Sequence, residues 1–226
     1  KTLSFDSSGS VTITGSGCST FSLTASTVDI SNLDITNSNG LVVETDSAST
    51  INVTNVDVSN SGSISQSSTA LGGVILSSGT VNIDASSFSF NTGGLGGVVY
   101  MDGGDLTIND SVFQGNSALK GGVVYATNGT NITTTNNTFS SNLTVNSGFG
   151  GVFSLMYGST LADDGSTFDG NTSQSHGAVL YANNNVSAVI PNVISFANST
   201  FTSNQANQSS ITSGNGGAMY VYYRST

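Results

Sequence analysis

The sequence predicts an all-β protein, a single-stranded parallel β-helix (a solenoid) of about eight coils with three short strands each. Three observations favour this fold. Between Gly96 and Asn116, apolar residues alternate with polar ones in short runs, as in strands that bury one face. Each run is too short to make a stable sheet alone. The pattern then recurs along the chain, and a unit that cannot bury its own face must stack on copies of itself.

The alternating apolar pairs predict the strands in chain order. The first coil is irregular, with Leu3 and Phe5 followed by Val11 and Ile13. The later pairs are Phe21 and Leu23, Val28 and Ile30, Leu33 and Ile35, then Leu41 and Val43, Ile51 and Val53, and Val56 and Val58. The strings NLDITN (32–37) and NVDVSN (55–60) match at a spacing of 23 residues, which is enough for one coil.

From position 72 onward each repeat carries two motifs. Gly-Gly precedes an apolar strand at Gly72, Gly96, Gly121, Gly150 and Gly216, and a His-Gly-Ala variant, read with His in place of the first Gly, occurs at His176. Phe-x-x-Asn occurs at 88–91, 113–116, 139–142, 168–171 and 201–204. The interval from each Asn to the next Gly-Gly varies most in length. Loops are therefore expected to project from one edge at that corner.

Residues 1–226 are expected to form one continuous unit. Loop insertions are expected at 61–71, 183–195 and 205–215, and Pro191 in the second of them suits a loop or an edge strand. Because strand patterns continue to both ends of the sequence, we expect a segment of a longer solenoid.

The two linked motifs resemble the repeat of the chlamydial polymorphic outer-membrane proteins, GGA(I/L/V) together with FxxN. The matching residues are Gly-Gly-Ala-Met at 216–219, the Gly-Gly-Val copies and the Phe-x-x-Asn motifs, and they cover roughly positions 72–220. The resemblance implies a right-handed parallel β-helix in surface-exposed or secreted proteins with adhesive roles. The chain departs from the family in using Val where the family prefers Ala. Its first coils also carry Asn-apolar-Asp-apolar-Ser/Thr-Asn in place of FxxN.

Composition and charge argue against several classes of partner. Only 7% of residues are charged, and three Lys and Arg residues stand against 13 Asp and Glu residues, giving a net charge of −10. Such a surface disfavours nucleic acid and anionic membranes. No apolar run reaches the ~18 residues that a membrane-spanning helix needs.

Two columns of side chains are expected inside the coils. Stacked coils place equivalent residues ~4.8 Å apart, so asparagine amides can form a ladder and phenylalanine rings can stack. The expected asparagine ladder is Asn37, Asn60, Asn91, Asn116, Asn142, Asn171 and Asn204. The expected phenylalanine column is Phe88, Phe113, Phe139, Phe168 and Phe201. The alternatives are a ligand-binding role for the amides and an exposed sugar-stacking platform for the rings.

Aspartates are the only chemically active groups present in number. They cluster at 102, 105 and 110 and again at 163, 164 and 169. Two carboxylates can serve a glycosidase. Enzymes acting on sugar acids also need basic partners, however, and Lys120, His176 and Arg224 lie apart in the sequence. We therefore expect no catalytic residue, no enzyme activity and no cofactor. Calcium is the weaker alternative to aspartates that supply turns and surface charge.

Sequons of the form Asn-x-Ser/Thr occur about as often as the composition alone gives. In a secreted protein, outward-facing Asn52, Asn109 and Asn128 are the expected N-glycosylation candidates, whereas Asn142 and Asn171 in the internal ladder are protected. Cys18 is the single cysteine. It is expected to be a buried small side chain or to pair with another chain, so it does not settle the compartment.

The strand after each Gly-Gly pair is expected to turn an apolar column outward. Adjacent strand residues point to opposite faces. If the first and third residues of that strand face inward, the outward column is Val42, Ile75, Val99, Val124, Phe153, Val179 and Met219. Within this column, the interface candidates are Val99, Val124, Phe153 and Val179. In the reversed register, Val98, Val123 and the tyrosines lie outside instead. We expect this stripe to pack laterally against another chain or to lie beneath the long insertions.

These expectations combine into one functional hypothesis. The chain is expected to be a non-catalytic structural or adhesive module of a large extracellular protein, either at a cell surface or in a filament. It would contact other protein chains by lateral or end-to-end packing, with glycans as a further partner class. The alternative is a carbohydrate-active β-helix that binds or cleaves polysaccharide. Ice binding is disfavoured because the outward threonines form no sustained Thr-x-Thr columns.

Overall fold

The computed structural model describes residues 2–6, 12–13, 21–38, 42–62, 71–184, 190–207 and 217–222. Within these ranges the chain consists of strands, turns and bends, with no helix. Consequently, no helix in these ranges is long and apolar enough to cross a membrane. The all-β class predicted from the alternating pattern is confirmed.

The described residues form 26 short strands. In chain order they are β1 (Thr2–Asp6), β2 (Thr12–Ile13), β3 (Phe21–Leu23), β4 (Thr27–Thr36), β5 (Val43–Thr45), β6 (Thr50–Ser59), β7 (Ile75–Ser77), β8 (Thr80–Asp84), β9 (Ser87–Ser89), β10 (Val99–Asp102), β11 (Asp105–Asn109), β12 (Val112–Gln114), β13 (Ser117–Lys120), β14 (Val124–Thr127), β15 (Asn131–Thr135), β16 (Thr138–Ser140), β17 (Leu143–Phe149), β18 (Phe153–Met156), β19 (Thr160–Asp164), β20 (Thr167–Asp169), β21 (Thr172–Ser173), β22 (Leu180–Asn183), β23 (Val193–Ala197), β24 (Thr200–Thr202), β25 (Gln205–Ala206) and β26 (Met219–Tyr222).

Every strand pairing among these residues is parallel, as predicted. The strands form three sheets. The first sheet divides at β6 into two limbs, β8-β11-β15-β19-β23 and β9-β12-β16-β20-β24, and β1, β2 and β4 lie on the other side of β6. The second sheet is β3-β5-β7-β10-β14-β18-β22-β26, and the third is β13-β17-β21-β25.

The pairing register follows the sequence repeat. Leu106 of β11 pairs with Val81 of the preceding repeat and with Ile132 of the following one. Within one repeat the chain passes from the second sheet to one limb of the first, then to the other limb, and then to the third sheet, as in β10, β11, β12 and β13. Strands that are neighbours in a sheet are therefore one repeat apart in sequence.

The corner predicted to be a variable loop contains a fourth strand, which corrects the expectation of three strands in a repeat. Ser117–Lys120 and Leu143–Phe149 are β13 and β17 of the third sheet. Their inward side chains, such as the buried Ala118, are too small to give a strong apolar signal. Parts of two expected insertions are also strands: 193–195 lie in β23 and 205–206 in β25. The segments 63–70, 185–189 and 208–215 of the expected insertions lie outside the described residues.

The core lies between the inner faces of the first and second sheets. Buried apolar side chains from both sheets form one cluster. Phe139 of the first sheet meets Phe153 of the second edge-to-face, with ring centroids 5.3 Å apart. Fully burying a side chain of this kind contributes about 1.5–3 kcal/mol, so the shared core is what joins the sheets.

Backbone turns in the left-handed region mark the corners. Between the two limbs of the first sheet, the turn residue is most often asparagine, such as Asn55 (φ 52°) and Asn136 (φ 55°), because asparagine tolerates this conformation. At the start of the second sheet the turn is a Gly-Gly pair. Gly96 has φ 73°, and a Cβ on Gly97 would lie 2.0 Å from the Gly122 carbonyl oxygen. Both glycines are therefore required by geometry.

Candidate interaction surface

A ladder of asparagine side chains fills the corner that follows the phenylalanine motif. Each Nδ2 donates to the Oδ1 of the next asparagine at 2.9–3.1 Å. Each Nδ2 also donates to a carbonyl oxygen of the preceding repeat at 2.8–3.0 Å. The members are Asn91, Asn116, Asn142, Asn171 and Asn204. Because both Nδ2 hydrogens of the first four amides are used within the fold, the role of the ladder is structural.

Asn37 and Asn60 do not belong to this ladder, which corrects their assignment. Both are exposed and have positive φ angles of 56° and 50°. The inner position belongs to the residues that follow them: the Ser38 N–H donates to Ser61 Oγ at 3.2 Å, and the Ser61 N–H donates to Asn91 Oδ1 at 2.9 Å. The offset arises because the left-handed residue turns the chain and only the next residue points inward.

A second polar ladder, which the sequence interpretation missed, lies between the two limbs of the first sheet. The Ser86 N–H donates to Ser111 Oγ at 3.1 Å, the Ser111 N–H to Asn137 Oδ1 at 2.9 Å, and the Asn137 N–H to Ser166 Oγ at 3.1 Å. Each of these residues comes directly before a short strand of the second limb. A small polar residue at that fixed place in each repeat from Ser86 onward was the available signal.

The phenylalanine column stacks inside the fold. Successive rings of Phe88, Phe113, Phe139, Phe168 and Phe201 have centroids 4.9–5.1 Å apart and interplanar angles of 4–14°. The first four are at most 1% exposed. These rings are therefore core residues and not a platform for sugars.

The apolar column proposed as an interface is buried, which overturns its outward placement. The four candidates Val99, Val124, Phe153 and Val179 are each 0% exposed, and so are Val98 and Val123. The N–H groups of Val98 and Val99 both donate to the Val123 carbonyl oxygen at 2.9 Å. Two residues thus oppose one acceptor, as in a β-bulge, and two successive side chains turn inward. Strict alternation fails at this point in each repeat.

Tyrosines occupy several outward positions of the second sheet. The reversed register, which turns the tyrosines outward, is therefore correct for these residues. Tyr100, Tyr125, Tyr181 and Tyr220 share one register, with Leu76 before them and Ser154 between Tyr125 and Tyr181. Two further rings lie beside this column: Phe149 stacks on Tyr181 at 4.7 Å, and His176 stacks on Tyr220 at 4.6 Å. We call Tyr100, Tyr125, Phe149, His176, Tyr181 and Tyr220 the aromatic stripe.

His176 enters the stripe because it occupies the place before the glycine pair, and not the place of the first glycine as expected. The Gly150 N–H donates to the His176 carbonyl oxygen, as the Gly121 N–H does to Phe149. Gly177, with φ 60°, is the equivalent of the first glycine.

The rings of the stripe cover one another's faces. Tyr100 and Tyr125 stack at 5.4 Å with an interplanar angle of 9°, and Tyr181 and Tyr220 stack at 5.7 Å with 7°. Tyr125 and Tyr181 are only 7% and 8% exposed. The two middle tyrosines are therefore largely covered, and Tyr100 and Tyr220 are half-buried.

The stripe carries no charge at neutral pH. Burial raises the pKa of Tyr125 to about 12, with smaller contributions from Tyr100, Tyr157, Tyr181 and Asp102. Burial also raises the pKa of Tyr100 and of Tyr181. Burial lowers the pKa of His176, so its imidazole is neutral at pH 7.

The surroundings of the stripe are polar. Asp102 is exposed at one side of it, and Asn183 Nδ2 donates to the Tyr181 hydroxyl at 2.8 Å. The outer face of the first sheet carries hydrogen-bonded polar side chains instead of rings, such as Asp105 with Asn131 at 3.0 Å. The stripe thus contrasts with this polar face, although single apolar side chains such as Phe90, Val112 and Ile190 are also exposed.

Five of the six aspartates considered for calcium are hydrogen-bonded to side chains of neighbouring repeats. Asp102 accepts from Asn128 Nδ2 at 2.5 Å, Asp105 from Asn131 at 3.0 Å, Asp164 from Asn198 at 2.7 Å and Asp169 from Thr202 at 2.6 Å. Asp163 points inward, where the hydroxyls of Thr134 and Ser199 donate to it. Across the described ranges, no group of three or more His, Cys, Asp and Glu residues is arranged to hold a metal ion.

The glycosylation candidates differ in accessibility. Asn52 is half-buried, donates to Asp29 at 2.7 Å and accepts from Asn82 at 2.8 Å. Asn109 is also half-buried, whereas Asn128 is exposed in a turn. Cys18 and Arg224 lie outside the described residues.

Comparison of the chain with protein-family models, with curated proteins and with solved structures found no match. The class that the structure itself defines is an all-β protein of parallel sheets. Its corners are held by side-chain ladders, and it has an aromatic stripe on its outer face.

Proposed function

We propose that the chain is a right-handed single-stranded parallel β-helix that serves as a non-catalytic structural or adhesive module of a large extracellular surface or filament-forming protein. The support for the solenoid is the pairing of each strand with its counterpart one repeat away. About eight coils at ~4.8 Å would make a rod of ~35–40 Å. The support for the extracellular setting is the resemblance of the linked Gly-Gly and Phe-x-x-Asn motifs to the chlamydial polymorphic outer-membrane repeat.

The internal ladders support a mechanical role. Asparagine amides, serine hydroxyls and phenylalanine rings each connect one repeat to the next at hydrogen-bond or stacking distance. Every repeat is therefore fixed to its neighbours by three independent sets of contacts in addition to the sheets. Such a body resists bending and holds what it carries at a fixed spacing.

The observation that carries the adhesive role is the aromatic stripe. Tyrosine is enriched where proteins meet, because its ring buries a large apolar area and its hydroxyl still finds a polar partner. The stripe is uncharged, so a partner can cover it without the cost of burying an unpaired charge. The acidic groups that give the net charge of −10 keep the rest of the surface soluble.

We infer that the stripe contacts other protein chains. Sugars stack on the open faces of aromatic rings, but the faces of Tyr100 and Tyr125 are turned toward each other at 5.4 Å. Ring edges and hydroxyls suit protein surfaces better, where they pack between side chains and bond to backbone groups. This geometry favours a protein partner over the polysaccharide alternative.

Attachment of beads coated with the module tests the proposal. The beads are offered to beads carrying the same module, to cultured cell monolayers and to surfaces coated with neutral polysaccharide. The double variant Tyr100→Ser, Tyr220→Ser removes two rings, and serine already occupies this register as Ser154. If each tyrosine contributes as an interface anchor does, attachment to protein-bearing surfaces should fall about 10–100-fold.

The matched control is Thr107→Ala with Thr133→Ala on the polar face of the first sheet, which should leave attachment unchanged. Attachment of the parent module no better than that of albumin-coated beads would refute the adhesive role. If the double variant attaches as well as the parent module, the stripe does not mediate attachment. Stripe-dependent attachment to polysaccharide alone would favour the carbohydrate-binding alternative.

A further inference from the structure

The Asn-Gly turn beside the aromatic stripe presents an accessible asparagine. Asn128 and Gly129 have φ angles of 54° and 78°, and the Thr130 N–H donates to the Thr127 carbonyl oxygen at 3.3 Å. Positive φ at both central residues defines a type I′ turn, for which Asn-Gly is the preferred pair. Both central residues are exposed, so the amide of Asn128 stands at the tip of the turn.

This turn also contains a complete sequon, Asn128-Gly129-Thr130. The Thr130 hydroxyl donates to the Thr127 carbonyl oxygen at 2.7 Å, so it helps to close the turn. Asn128 Nδ2 donates to Asp102 Oδ1 at 2.5 Å. One Nδ2 hydrogen is enough for that bond, which leaves the other position of the nitrogen available on an exposed side chain.

The equivalent turn of the next repeat carries an exposed tyrosine in a strained conformation. Tyr157 follows Met156 as Asn128 follows Thr127, and the Gly129 N–H donates to the Tyr157 carbonyl oxygen at 3.0 Å. Tyr157 has φ 50°, which is an outlier for a bulky residue, and its side chain is 43% exposed. Burial within this chain offsets the strain only in part, because 43% of the side chain remains exposed, which points to a further contact outside the chain.

We propose that Asn128 is an N-glycosylation site and that the first sugar of its glycan packs on the exposed ring of Tyr157. The inference rests on the extracellular location in the proposed function. At one strand spacing, ~4.8 Å, the two turn tips are close enough for a sugar on Asn128 to reach the ring. On the other side, Gly103 has no side chain to obstruct it.

The modification is a group transfer from a lipid-linked oligosaccharide pyrophosphate. The bond between the anomeric carbon of the first sugar and the pyrophosphate oxygen breaks, and a bond from that carbon to Asn128 Nδ2 forms. Nδ2 loses one proton, and the lipid pyrophosphate leaves with the bonding electron pair. The remaining Nδ2 hydrogen still donates to Asp102.

Three other sequons within the described ranges lack this combination. Asn142 and Asn171 are 0% exposed, and both of their Nδ2 hydrogens are used in the asparagine ladder. Asn136 is exposed with φ 55°, but its counterpart in the next repeat is Gly165, which offers no ring. Asn136 is therefore the internal comparison for the effect of Tyr157.

The experiment is a four-variant cycle secreted from a eukaryotic host: the parent chain, Asn128→Gly, Tyr157→Gly and the double variant. Glycine tolerates positive φ, so both turns are kept, and Tyr157→Gly creates no sequon with Gly158 and Ser159. Glycopeptide mass spectrometry should find Asn128 occupied, and Asn142 and Asn171 unmodified. Asn128→Gly should lower the melting temperature by about 2–4 °C more in the parent than in the Tyr157→Gly background.

Two results would overturn the inference. An unmodified Asn128 in the secreted, folded chain would show that Asn128 is not a glycosylation site. Equal melting shifts of Asn128→Gly with and without the Tyr157 ring would show that the glycan does not pack on Tyr157. Asn136→Gly should give the same melting shift with and without Tyr157. Because the host delivers any secreted chain to the glycosylation machinery, failure here leaves the proposed function standing. Failure of bead attachment likewise leaves this inference standing.

Discussion

Replacing Asn142 by alanine should destabilise the protein through the asparagine ladder. The change removes the bonds from Nδ2 to the Phe113 carbonyl oxygen at 2.9 Å and to Asn171 Oδ1 at 3.0 Å. It also removes the acceptor of the Asn116 N–H and of Asn116 Nδ2, both at 3.0 Å. Four hydrogen bonds are lost at a fully buried site, and two donors of Asn116 are left unpaired. We expect the free energy of unfolding to fall by about 4 kcal/mol.

Urea unfolding followed by tyrosine fluorescence and circular dichroism measures this loss, since the chain has no tryptophan. Asn142→Ser is the matched variant, because Ser61 already fills an equivalent position and accepts the Ser38 N–H at 3.2 Å. It should recover part of the loss by keeping an acceptor for Asn116. The exposed change Thr138→Ala should stay within about 0.5 kcal/mol. A loss under about 1 kcal/mol for Asn142→Ala would show that the ladder is not a stabilising element.

Two further predictions concern single aromatic side chains. Phe139→Ala empties a 0% exposed site and should lower the free energy of unfolding in urea by about 3–5 kcal/mol. Phe90→Ala, at a ring that is 57% exposed, should lower that free energy far less. Similar losses for both variants would contradict the buried column. Burial raises the pKa of Tyr125 from 10.0 to about 12, so its contribution to stability is fully present below pH 10 and is lost as pH rises through about 12. Absorbance titration of tyrosinate should therefore show a late-ionising group that disappears in Tyr125→Phe, and an unchanged titration curve in that variant would refute the assignment.

The parallel all-β fold could be predicted because its signals are periodic. Alternating apolar residues mark each strand of the first sheet, and Phe-x-x-Asn recurs at a fixed place in the repeat. The third sheet could not be predicted, because inward residues such as Ala118 and Thr144 are too small or too polar to give an apolar period. Pairing with the preceding repeat, and not local composition, makes these residues strands.

The candidate surface was predicted in part. Alternation left two registers open: one turned Val99 outward, and the other turned Val98, Val123 and the tyrosines outward. Only the tyrosine part of the second is correct. Alternation failed because one carbonyl group accepts two successive N–H groups after each Gly-Gly pair, a backbone feature with no side-chain signature. Asn60 was misassigned for a related reason: in the sequence alone, a turn asparagine and a ladder asparagine look identical. Phe149 joins the stripe from a strand that periodicity did not reveal.

The asparagine ladder has a direction. Each Nδ2 donates forward to the next Oδ1, from Asn91 to Asn116, Asn142, Asn171 and Asn204, and the reverse does not occur among them. The amide dipoles therefore align and polarise one another, as in a chain of hydrogen bonds. Every junction also has the same chemistry: a donor on one side meets an acceptor on the other. A whole repeat can consequently be duplicated or deleted as a unit without creating a mismatched junction, so the length of such an array can change by copying alone.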